Sequence, residues 1–133
     1  MTRAFAALAV LLALTVPAGA HHSIAGTYNT SREVTVEGVV SQFHWVQPHP
    51  FVVVDVRRGG AVEQWSLEFD NRSELLAVGF TESTLKPGDR IIVAGSPAHR
   101  DGQHLYVQRL DRPADGFGLE QVGNSPRLRA RPR

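Results

Sequence analysis

Five short runs of alternating or β-branched residues, one capped helical segment between the third and fourth, and turn chemistry in the gaps predict a mainly β domain. That order is the order of a five-stranded, OB-fold-like barrel with one short helix between strands three and four. An open five-stranded sheet with the helix across one end has the same element order. Closure is preferred because so small a sheet has edges to hide.

The first strand runs over Val34 to Phe43, with Val34, Val36, Gly38 and Val40 on one parity and Thr35, Glu37 and Ser41 on the other. A glycine inside a strand marks a sharp bend, so Gly38 lets this strand coil through two halves of a closed sheet. Phe51 to Val56 is the second strand and Arg57-Arg58-Gly59-Gly60 a tight turn. In the third, Val62 to Phe69, residues Trp65, Leu67 and Phe69 face one way and Gln64, Ser66 and Glu68 the other. Asn71-Arg72-Ser73-Glu74 then has the form of a capping box, Asn71 accepting from first-turn amides and Glu74 reaching back. Leu75 and Leu76 supply the apolar side of this helix, and Gly79 ends it. A Pro87-Gly88 turn precedes the fourth strand, Arg90 to Ala94, and Asp101-Gly102 lies in the turn before the fifth, Gln103 to Leu110.

The flanks differ in kind. Residues 1–20 read as a secretory signal peptide: Arg3, an apolar run from Ala4 to Val16, then Pro17-Ala18-Gly19-Ala20. Cleavage after Ala20 leaves a periplasmic or secreted chain that begins His21-His22-Ser23, and no later segment is apolar enough to cross a membrane. Residues 21–33 form an arm, 34–111 the barrel, and 112–133 a disordered basic tail, with Arg127, Arg129, Arg131 and Arg133 in its last seven positions. The body from His21 to Glu120 carries nine basic against thirteen acidic side chains. That balance argues against a nucleic-acid partner, which calls for a basic groove. An envelope protein partner is the remaining expectation. The chain has no cysteine and only the initiator methionine, so disulfides, thiolate zinc and thioether copper sites are excluded.

Chemistry concentrates in histidine. A free α-amine on His21 places an amine and an imidazole where they chelate one ion, and His22 adds a second imidazole; such donors suit Cu(II), Ni(II) or Zn(II). Between the first two strands, Phe43-His44-Trp45-Val46-Gln47-Pro48-His49-Pro50-Phe51 sets His44 and His49 across a proline-stiffened turn. Folded back, the arm brings His21 and His22 to His44 and His49, with Trp45 shielding the ion. Without metal, Trp45, Pro48 and Phe51 make an aromatic rim for a sugar or a partner segment. His99 and His104, flanking a four-residue loop, would be cross-strand neighbours. No nucleophile–base set or G-x-S-x-G elbow is present, and Glu63, Glu68, Asp70 and Glu74 read as scattered surface acids, so no enzymatic activity is expected.

With these residues in view, the chain resembles domain-of-unknown-function family 6152, a group of small exported bacterial proteins. The likeness rests on His21-His22-Ser23, Val36-Glu37-Gly38-Val39-Val40, Phe43-x-Trp45-x-x-Pro48-His49, Trp65-x-Leu67-Glu68 and Leu85-Lys86-Pro87-Gly88-Asp89. It spans His21 to about Leu110, with Gln47 standing where members usually carry asparagine. What the resemblance implies is location and fold. The functional expectation, an exported barrel that binds a divalent transition metal with Cu(II) favoured, comes from the histidines.

Overall fold

A computed structural model describes residues 23–129. In chain order the elements are a single turn α1 (Ile24–Thr27), β1 (Val34–His44), β2 (Phe51–Arg58), β3 (Ala61–Glu68), α2 (Arg72–Ala77), β4 (Arg90–Pro97), β5 (His104–Arg112), β6 (Phe117–Val122) and β7 (Ser125–Arg129). The sheet order is β3-β2-β1-β4-β5-β6-β7, and a parallel pairing of β3 with β5 closes the first five strands into a barrel. The signal-peptide expectation falls on residues 1–20, outside those described. Among the described residues no helix is long and apolar enough to cross a membrane.

Alternation builds the interior. Val52, Val54 and Val56 of β2, Trp65 and Leu67 of β3, Ile91 and Val93 of β4, and Leu105 and Val107 of β5 are all buried, while the intervening residues are exposed or half-buried except Tyr106 of β5, which is buried as well. β1 pairs with β4 from Val34 to Val39 and with β2 from Val39 to His44, so it turns the corner next to Gly38. A Cβ at Gly38 would lie 2.5 Å from the Asp55 carbonyl oxygen, and only glycine lets β2 approach that closely. Arg58 opposes Ala61 across Gly59 and Gly60, whose φ values of 55° and 83° make the two-residue hairpin.

Helix α2 sits between β3 and β4 and is capped at both ends. The Asn71 side chain accepts from the Ser73 N–H at 2.9 Å. Glu74 does not complete the expected box: the Asn71 N–H donates to Asp70 Oδ1 at 2.7 Å, so Asp70 takes the role assigned to Glu74. At the other end Gly79 (φ 89°) donates to the Leu76 carbonyl and Phe80 to that of Leu75, a Schellman closure. Replacing Asn71 with alanine is expected to lower stability by about 1 kcal/mol, read from the urea midpoint.

Two expectations need correction. β4 continues past Ala94 to Pro97, because Gly95 is a register shift against β5 and not a turn. Residues 112–129, expected within a disordered tail, form the end of β5 and the β6–β7 hairpin. Burial explains it: Leu119 is 1% exposed and Phe117 and Leu128 pack against the core. Arg129 crosses back to pair with Asp111 and lies flat on Gly118.

Candidate functional site

The link from β1 to β2 is strapped to the segment that enters α2. Its Gln47–Pro48 peptide is cis. The Pro48 carbonyl accepts from the Arg72 N–H at 3.0 Å and the Pro50 carbonyl from the Phe69 N–H at 2.9 Å. His49 Nδ1 lies 3.1 Å from the Phe69 carbonyl oxygen. A carbonyl has no proton to give, so Nδ1 donates, and the neutral ring keeps its lone pair on Nε2.

His44 is placed differently. It opposes Phe51 in the β1–β2 ladder, its ring stacks on Phe51 at 4.4 Å, and its Nε2 pairs with Gln42 Oε1 at 2.9 Å. Trp45 turns inward, packing against Phe43 and Phe80 at centroid distances of 5.8 and 6.2 Å, with the Arg72 guanidinium over its face at 5.6 Å. The aromatic rim is therefore largely satisfied by the protein itself.

The arm is anchored along the β4–β5 connection. The Asn29 N–H donates to the Pro97 carbonyl, the His99 N–H to that of Thr27, and Tyr28 forms a bridge with Ala98. His99 Nε2 donates to the Ala25 carbonyl at 3.1 Å. His104 instead pairs through Nδ1 with Asp101 Oδ2 at 2.6 Å. The Gln103 N–H and then His104 hold the Asp101 carboxyl below the usual aspartate range. The two histidines thus have separate partners and are not a chelating pair.

Anchored there, the arm overhangs the end of β3. Tyr28, 4% exposed, donates to Glu68 Oε2 at 2.5 Å; burial first, then the Glu68 hydrogen bond and charge, push its phenol pKa upward. A cleft of about 300 Å³ lies between Ile24, Thr27 and Tyr28 of the arm and Pro48, His49 and Glu68 of the barrel. His49 opens onto this cleft; His44 is not part of it. His21 and His22 lie outside the described residues. Among the described residues no group of three or more histidines, cysteines or acids is arranged to hold a metal ion.

The acidic residues were misread from sequence. Glu63 stands apart, accepting from Trp65 Nε1. Glu68, Asp70 and Glu74 converge instead: all three charges act on Tyr106, whose pKa is raised chiefly by burial and then by Asp70, Glu68 and Glu74. Glu74 is raised too, mainly by the charge of Asp70. Glu68 and Asp70 share a parity at the end of β3, which was the available signal.

A family model described as a family of unknown function, DUF6152, matches residues 8–107. No curated protein sequence matches. Among solved structures, the S. pombe Stn1-Ten1 complex is similar at 15% identity and a TM-score of 0.51, over 63% of this chain and 60% of that one. This chain thus spans less than two thirds of that relative. The S. cerevisiae mitochondrial single-stranded DNA-binding protein Rim1 follows at 12% identity and a TM-score of 0.47, over 60% and 91%. Such likeness shows the fold. The exclusion of nucleic acid is corrected too, since it rested on charge alone and the barrel shares its fold with the proteins just named. The charge argument had a physical flaw as well: cutting the chain at Glu120 split β6 and left out Arg127 and Arg129, which are part of the sheet.

Proposed function

The chain belongs to the DUF6152 family, and from that premise we propose an exported, non-enzymatic binding barrel that holds a divalent transition metal, Cu(II) first, where its arm meets the cis-proline turn. His49 supplies Nε2; the His21 amine and imidazole and the His22 imidazole supply the rest. His44, engaged by Gln42 and Phe51, is left out of the set. The observation that carries this reading is the Nδ1–carbonyl bond of His49, which fixes the tautomer a metal ligand needs and leaves the lone pair on Nε2 of a ring that lines the cleft. Support comes from the arm, which runs beside that ring and leaves His22 one residue upstream of Ser23. The reading requires export and cleavage after Ala20.

Copper titration of the processed protein tests it. His49→Ala and, separately, His21→Ala with His22→Ala are each expected to weaken binding by about tenfold or more. Affinity unchanged in the double variant removes the site. Affinity lost there but unchanged in His49→Ala leaves copper on the arm alone and overturns the role of the turn.

One observation favours a second reading. Arg72 lies over Trp45 without a carboxylate partner among the described residues, which makes a cationic, flat surface suited to a π-faced ligand, a partner segment or a single-stranded nucleic acid. Titration of a labelled oligonucleotide against Trp45→Ala decides it.

A further inference from the structure

A second, larger cleft lies on the other side of the arm. It measures about 610 Å³, within the range of small-molecule sites, and is bounded by the arm, the barrel and the β6–β7 turn. Two side chains more than nine-tenths buried line it. Asp70 is 8% exposed; one of its oxygens is taken by the Asn71 N–H. Tyr106 is 7% exposed; its ring is packed away while its hydroxyl, which has no hydrogen-bonding partner among the described residues, is left accessible at the cleft. Burial and the three neighbouring carboxylates keep that hydroxyl protonated, able to donate or accept.

The remaining walls add acceptors and no cation. Gln108 donates through Nε2 to the buried Ser96 hydroxyl, which leaves its amide oxygen free, and Gln121 and Asn124 bring two more amides from the hairpin. Among the described residues neither arginine, lysine nor histidine lines the space. Among the described lining residues Asp70 therefore has no positive partner; its side-chain neighbour is Glu74, whose carboxyl is held above the usual range first by the charge of Asp70 and then by burial and a hydrogen bond to it. Ile24 and Ala25 supply an apolar side.

We infer that this cleft binds a small organic ammonium, an aliphatic amine whose charged nitrogen sits against Asp70 and the Tyr106 hydroxyl while its methylenes lie along the arm. A bare metal ion does not fit the same facts, since the space is far larger than an ion and the acids among the described residues are not arranged as a ligand set. The site is independent of the copper reading: none of its described residues is His49.

Calorimetric titration of the full processed chain, treated with EDTA, with spermidine as probe and glucose as neutral comparator tests it. Saturable spermidine binding is expected, weakened about tenfold or more by Asp70→Asn. Asn keeps the oxygen that accepts from Asn71, so the cap survives. Tyr106→Phe, which retains the packed ring, is expected to weaken binding several-fold. Glu82→Gln, an exposed acid outside the cleft, is expected to change nothing. No spermidine binding at millimolar concentration overturns the proposal, as does equal loss in Glu82→Gln, which would mean diffuse attraction. Glucose binding that matches spermidine and survives Asp70→Asn would assign the cleft to a neutral polyhydroxylated ligand instead.

Discussion

Phe80→Ala is expected to remove about 4 kcal/mol of stability, a large share of what a domain of this size holds. Phe80 is fully buried directly after the Gly79 closure of α2. Its ring meets four others: Phe43 edge-on at 6.0 Å, Trp45 at 6.2 Å, Phe69 at 5.2 Å and Phe117 at 6.1 Å. Those rings come from β1, the β1–β2 link, the end of β3 and β6, so one side chain ties the barrel floor to both the proline turn and the hairpin. Aromatic neighbours are stiff and cannot collapse into the space, which puts the loss at the high end of large-to-small changes. Urea unfolding measures it. The same truncation uncovers one face of Trp45, so its fluorescence should shift red in the folded state. A loss under about 1 kcal/mol would mean that the four rings close over the void.

Gly95→Ala is expected to cost about 3 kcal/mol for the opposite reason, excess volume. A Cβ there would lie 2.0 Å from the Tyr106 carbonyl oxygen and 2.9 Å from its carbonyl carbon. Both are backbone atoms of β5 and cannot swing aside. The clash falls where the β4–β5 register shifts between Ala94 and Gly95, so relief means separating the two strands. Gly102→Ala is the control: a Cβ there meets nothing within 4 Å, and its effect should stay within about 0.5 kcal/mol. A Gly95→Ala protein as stable as that control would refute the close approach.

Local chemistry made most of the barrel readable. The Gly38 bend, the Gly59-Gly60 hairpin and the Asn71 and Gly79 caps each depend on residues within a few positions, and each lies where pattern places it. The β6–β7 hairpin was not readable, because what orders it is remote: Leu119 fills a space left by other strands, and Arg129 needs Asp111 and the flat of Gly118. In isolation the same residues are a run of glycine, proline and arginine. The site divides the same way. The stiffened turn around His49 follows from Pro48 and Pro50, whereas the convergence of Glu68, Asp70 and Glu74 requires Tyr28 and Tyr106 from distant parts of the chain. Parity puts Glu68 and Asp70 on one side, but the two tyrosines that face them come from remote strands and the arm.

Barrel closure rests on a short parallel seam, Ser66, Leu67 and Glu68 against His104, Leu105 and Tyr106. On a ribosome, the strand that completes this seam is the last of the five to emerge. Until it does, the meander of β1 to β3 presents its valine-rich inner face to whatever surrounds the nascent chain. Such a topology folds late and all at once, and it depends on the quality-control environment of the growing polypeptide more than a helical bundle of equal length would.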